Sequence, residues 1–235
     1  MRRVFQLVAL GAVLTFTAAA DTVLQFAGLV NPVTGVANGD EVLTYFDGGQ
    51  DSYLNTGPSD GVYFSSNGET FSNSEAGNGS GSAPFSGDPY GNTALTFVGS
   101  PATMDVPAGF TDLSLYYSAA SSSPTITIWS GLDGTGTQLA LLNLLQNANS
   151  SDPACISNPQ TFCPFTLATV DFTGVAESVD FTNAIGLVAM DNIDLGSPSP
   201  EPGALKMLGL GLACLLVASR RLRKLQQNTG QRLQS

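Results

Sequence analysis

Between Asp21 and Leu195 the apolar positions fall in short alternating or β-branched runs, broken repeatedly by Gly, Pro, Asn and Ser. Successive side chains of a strand point to opposite faces, so runs of this kind read as strands. The pattern predicts strands over 22–27, 41–46, 61–65, 94–98, 102–106, 111–118, 125–130, 138–144, 167–172, 177–182 and 185–195. Only 138–147 competes as a helix, because its leucines fit either period; it is read as strand. Many short strands at this spacing predict an all-β fold, an antiparallel β-sandwich or jelly roll. Asp133-Gly134-Thr135-Gly136 separates two runs and reads as a hairpin turn, since Asp-Gly supplies the positive φ such turns need. The ligand spacing of a calcium loop is absent there. The stretch 71–92, rich in Gly, Ser and Asn, reads as a long mobile loop.

The two ends have a different pattern. Arg2 and Arg3 precede an apolar run, 4–16, and then Ala18-Ala19-Ala20 before Asp21. A basic start, an apolar middle and small residues at the cut make a secretory signal peptide over 1–20, cleaved between Ala20 and Asp21. The 21–195 domain is followed by a Pro-rich linker, 196–203, an apolar stretch, 204–219, and a basic tail, 220–235. The uninterrupted apolar run, 207–218, is shorter than the roughly 20 residues of a relaxed spanning helix. Snorkelling of Lys206 at one end, with the Arg cluster at the other, extends it to a short transmembrane helix. The basic tail then lies inside, in the cytoplasm, and the domain outside.

Charge placement removes most chemistry. All eight Lys and Arg lie in the first three or last thirty positions, and His is absent. Of the 19 Asp and Glu, all but Glu201 lie between Asp21 and Pro200. That segment cannot form a side-chain salt bridge, a Lys Schiff base, a Ser-His-Asp triad or a phosphate-clamping Arg. Nucleic acid is excluded as a partner, because a basic footprint is missing. A carboxylate-based hydrolase survives on composition alone, but no Asp-Thr-Gly or Asp-Ser-Gly occurs and no Glu pair has an interpretable spacing. The expectation is therefore no enzyme.

Pro200-Glu201-Pro202, then a short apolar helix, then Arg220, Arg221 and Arg223 close to the C-terminus resemble the PEP-CTERM sorting signal. The resemblance covers roughly 197–224, and the residues after the Arg cluster, 225–235, run longer than is usual in that family. It implies export by the secretion machinery and a transient stay in the inner membrane of a Gram-negative-type bacterium. Processing by an exosortase, an integral-membrane transpeptidase-like enzyme, would follow, with final placement at the cell surface or in the extracellular matrix. The domain resembles the jelly-roll ectodomains found with such tails, through Tyr45-Phe46-Asp47-Gly48-Gly49, Gly61-Val62-Tyr63-Phe64-Ser65-Ser66 and Asp191-Asn192-Ile193. Membership implies a structural or adhesive role in an exopolysaccharide matrix.

Four further residue groups are candidates for sites. Cys155 and Cys163 share one Pro-rich loop and are expected to pair in an oxidising compartment; Cys214 reads as a small hydrophobe of the apolar helix. Trp129, the single Trp, alternates onto the Thr127 face, opposite Ile126 and Ile128, which makes it the candidate glycan contact of a carbohydrate-binding alternative. In a regular last strand Asp191 shares a face with Leu187, Ala189, Ile193 and Leu195. A carboxylate pointed at a core must be hydrogen-bonded, protonated or paired with a cation, and no Lys or Arg is at hand. Structural calcium, with Asp40 or Glu41 as second ligand, is one expectation; a bulge turning Asp191 to solvent is the other.

Overall fold

The computed structural model describes residues 21–73, 85–156 and 161–197. Its regular elements are β1 (Thr22–Leu24), β2 (Asn38–Glu41), β3 (Tyr63–Phe64), β4 (Gly68–Ser72), β5 (Thr93–Phe97), β6 (Thr103–Ala119), β7 (Thr125–Gly131), β8 (Thr135–Asn143), β9 (Thr166–Asp180) and β10 (Val188–Leu195), with one 3-10 turn, Thr182–Ala184. Every strand pairing is antiparallel. Among the described residues no helix is long and apolar enough to cross a membrane. The signal peptide, the apolar helix and the basic tail lie outside the described residues.

Hydrogen bonds join the strands in the order β2-β4-β5-β10-β6-β9-β7-β8, with β1 beside β10 and β3 beside β6. The two longest strands bend this sheet over itself. The start of β6 pairs with β3 and the end of β9, whereas its later part pairs with β10 and the start of β9. Between these parts the register shifts, at Pro107-Ala108-Gly109, where Pro lacks the N–H a ladder needs. One apolar cluster draws on both parts: Leu95 and Phe97 of β5, Leu115 of β6, Ile126 and Ile128 of β7, Val179 of β9 and Met190 of β10. Phe97 stacks on Phe181 at 4.7 Å. The bent sheet thus closes on one core, which is the sandwich arrangement the strand spacing predicts.

Several boundaries differ from the pattern, each for a physical reason. The stretches 102–106 and 111–118 are one strand, as are 167–172 and 177–182, because a bulge interrupts alternation without ending pairing. The segment 41–46 is mostly turn: Val42 and Phe46 are both buried, yet Leu43 between them adopts φ 49° and Tyr45 N–H bonds Val42 O. β4 is not predicted at all. Its inward positions are Gly68, Thr70 and Ser72, so burial there leaves no apolar alternation to read. The hairpin at Asp133-Gly134 is as expected, with φ 55° and 66° and Thr135 N–H bonded to Leu132 O, the geometry of a type I′ turn.

The stretch 71–92 is not uniformly loop. Phe71 and Ser72 complete β4, and residues 74–84 lie outside the described residues. Phe85 is fully buried and forms a second, smaller cluster with Ala94, Phe165 and Ala189. That cluster lies on the side of β10 opposite the main core.

Candidate functional site

The side of β10 carrying this second cluster is where the acidic and aromatic groups converge. Val188 and Met190 face the main core, while Ala189 faces Phe85 and Phe165. The β10–β6 register then shifts between Asp191 and Asp194, with Asn192 at φ 49°. One extra residue reverses the face of everything after it. Ile193 and Leu195 therefore return to the main core, and Asp191 is left with Ala189 on the other side. The bulge exists, but the expectation that it turns Asp191 to solvent needs correction, because Asp191 is only 1% exposed. The residues 85–92 cover it.

The cover is held by the disulfide. Cys155 and Cys163 are bonded, as expected, and both are buried. Ser86 N–H donates to Phe162 O at 3.1 Å. Gly87 has φ 73°, and a Cβ there would sit 3.0 Å from Cys163 Sγ, so the cover lies directly on the cystine. Closing so short a ring contributes about 2–3 kcal/mol on chain-entropy grounds. Replacing both cysteines with serine should lower the melting temperature by roughly 4–10 °C. Non-reducing digestion of the native protein should yield the two peptides linked; both thiols alkylated freely in protein from an oxidising compartment would contradict the pairing.

Asp88, on this cover, meets Asp191. Tyr90 N–H donates to Asp88 Oδ1 at 3.0 Å, and Asn192 N–H donates to Asp191 Oδ1 at 2.7 Å. The Phe26 backbone N–H also serves Asp191. Asp88 Oδ2 is buried with no donor facing it, and the two carboxyl groups are in hydrogen-bond contact. Burial first, and the Asp191 charge second, push Asp88 up to about 8. Burial also raises Asp191, against the hydrogen bonds it accepts. At neutral pH the pair is satisfied when Asp88 keeps its proton and donates it to the Asp191 carboxylate.

Beside the acid pair lies an aromatic pair. Tyr116 of β6 is the register partner of Asp191. Its ring meets Tyr90 edge-on with centroids 5.0 Å apart, and Tyr90 is 41% exposed. Trp129 is not displayed in this way. It is half-buried, its indole Nε1 is buried without a partner, and Thr127 is buried along with Ile126 and Ile128. Thr127, on the face that alternation assigns to Trp129, is itself buried, so that face is not open along its length.

Asp40 and Asp191 are not brought together through the ladder. The first strand, β1, does pair with the last, but β4 and β5 stand between β2 and β10. Asp40 instead contacts Asp51, and burial pushes it up to about 6. Glu41 is the register partner of Glu69, whose carboxyl burial also raises. Among the described residues no three Asp, Glu, Cys or His cluster closely enough to hold a metal ion by themselves. Asp21 is exposed and accepts a hydrogen bond from Ser197 N–H at 3.2 Å. Ala20 and the sorting residues Pro200, Glu201, Pro202, Arg220, Arg221 and Arg223 lie outside the described residues.

Sequence reasoning missed Asp88, Asp51 and the Tyr90–Tyr116 pair. Gly87-Asp88-Pro89-Tyr90 sits in turn-forming residues, and nothing in its pattern marks a segment packed onto a strand. The one available signal was the demand for a partner at Asp191 in a domain without Lys or Arg.

No protein-family model and no curated protein matches the chain. Partial overlaps with solved structures exist. The Clostridium stercorarium module CsCBM6-3, solved in complex with cellobiose, is 14% identical, covers 58% of this chain and 86% of its own, and gives a TM-score of 0.34. A β-1,3-glucan-binding CBM6 from Bacillus halodurans is 10% identical over 57% of this chain and 88% of its own, with a TM-score of 0.34. The catalytic domain of a GH87 α-1,3-glucanase is 12% identical, covers 60% of this chain at a TM-score of 0.36, and is itself spanned to only 27%. At such scores no residue-level correspondence follows.

Proposed function

We propose that the protein is an exported, non-catalytic component of the bacterial cell envelope that binds a neutral polysaccharide of an extracellular matrix. Its domain is a jelly-roll-like sandwich, and a PEP-CTERM signal processed by an exosortase places it. The observation that carries the binding reading is the exposed Tyr90 ring, braced edge-on by Tyr116 beside the Asp88–Asp191 pair. A braced aromatic exposed at the surface offers a flat apolar face, which suits a sugar ring. The acidic domain, without one Lys or Arg, repels uronic or sulfated polymers and leaves neutral ones.

Hydrolysis fits less well. A glycosidase needs its two carboxyl groups roughly 5–9.5 Å apart, open to substrate and water. Asp88 and Asp191 touch, and Asp191 is 1% exposed. A structural or adhesive role follows, with adhesion through glycan contact.

Tyr90→Ala should weaken binding of a soluble neutral glucan at least tenfold, about 1.4 kcal/mol, in calorimetric titration of the purified protein. Trp129→Phe should leave it unchanged. Equal affinity for wild type and Tyr90→Ala would remove Tyr90 as the contact.

A further inference from the structure

We propose that Asp40 and Asp51 bind a calcium ion at the end of β2, a site distinct from the Asp88–Asp191 pair. Asp40 is 0% and Asp51 2% exposed, and their carboxyl groups are in direct contact. The neighbouring donors are already committed. Ser52 Oγ–H goes to Asp40 Oδ1 at 2.7 Å, while Asn55 gives its backbone N–H and its Nδ2 to Asp51 Oδ1 and Oδ2 at 2.7 and 2.6 Å. The Tyr53 backbone N–H also serves the Asp40 carboxyl, and Asp40 Oδ2 is fully buried with no hydrogen-bond partner.

A buried carboxylate oxygen without a donor is costly unless something positive reaches it. No Lys, Arg or His exists between Asp21 and Pro200 to do so. The positive charge must come from solution. A proton would cancel one of the two adjacent charges, whereas a divalent cation cancels both and fills the coordination left open at Oδ2.

The donor set shown is all oxygen: two carboxylates and the Ser52 hydroxyl. Oxygen-only, irregular sets select a hard cation, and calcium tolerates irregular geometry better than magnesium does. With only two carboxylates the expected dissociation constant is roughly 10⁻⁴–10⁻³ M, the range of extracellular modules. Ser52 N–H also bonds Glu41 O, and Glu41 N–H bonds Ser52 Oγ, so the ion would pin this loop to β2.

The test is calcium titration of the purified full-length protein, starting in chelator at constant ionic strength. The melting temperature should rise by several degrees, half-maximally near ~10⁻³ M or below, with a smaller rise in magnesium. Asp51→Asn should abolish the rise, and Asp191→Asn should retain it. Should Asp51→Asn fail to fold, terbium serves as a second readout on the wild type. Tyr45 lies within electrostatic reach of both carboxylates and should sensitise terbium emission, which calcium displaces and Tyr45→Phe dims. Identical melting with and without calcium, together with no terbium emission, would leave a protonated pair in place of the site. Loss of the calcium effect in Asp191→Asn but not in Asp51→Asn would move the ion to the last strand and overturn the assignment.

Discussion

Raising the pH from 5 to 8 should destabilise the folded domain, the reverse of ordinary acid lability. Most proteins lose stability in acid because salt-bridged carboxylates, with depressed pKa values, must be protonated. Here no such bridge can form inside 21–197, and the buried carboxyls shift the other way. Asp88 is pushed up to about 8 by burial and by Asp191. Asp105 and Asp194 are also raised, chiefly by burial. In the unfolded chain these groups titrate near 3.8. Between roughly pH 4 and 8 the native state therefore holds more protons than the unfolded state, and stability falls as pH rises. The Asp88 contribution is complete below about pH 4 and lost above about pH 8. Its size is on the order of a few kcal/mol, because Asp88 keeps some contact with solvent.

Melting curves in chelator at pH 5 and pH 8, at one ionic strength, read this directly. Asp88→Asn should reduce the difference, leaving the share of Asp40 and the other raised carboxyls, since an amide Nδ2–H can donate to Asp191 at every pH. A wild-type melting temperature that climbs from pH 5 to pH 8 would show that the Asp88–Asp191 pair is not protonated in the native state.

The second large effect concerns sorting. Glu201 lies between two prolines just before an apolar segment with a basic end, an extended stretch that an envelope enzyme can read. Replacing Pro200, Glu201 and Pro202 with alanine should leave the full-length chain in the inner membrane. Fractionation of the native host, with the mass of the recovered protein, distinguishes the outcomes. Wild-type processing and placement of the triple variant would mean that the tail is an ordinary anchor.

Much of the fold was legible in the sequence, and the parts that were not share a cause. Strands such as Thr125–Gly131 and Thr135–Asn143 announce themselves because β-branched or leucine-rich runs flank a turn whose residues tolerate positive φ. β4 does not, because Gly68, Thr70 and Ser72 are buried without being apolar. The disulfide followed from compartment and spacing. The acid pair did not, because a single inserted residue at Asn192 moves Ile193 and Leu195 to the face opposite Asp191, and no alternation rule anticipates a bulge. What the sequence did supply was the constraint: an all-acidic domain must answer each buried carboxylate with a proton, a backbone donor or a cation. Trp129 shows the limit of that approach. A single aromatic on a polar face looks displayed, yet Trp129 is half-buried with its indole Nε1 covered.

Glycan contact at Tyr90 and Tyr116 is the central claim, and aromatic NMR signals followed during titration with a neutral glucan oligosaccharide test it most directly. The ring resonances of Tyr90 and Tyr116 should shift saturably, while the indole signal of Trp129, unambiguous because the chain has one Trp, stays still. Saturable shifts confined to Trp129, or the same Tyr90 response to an anionic polymer as to the neutral one, would contradict it.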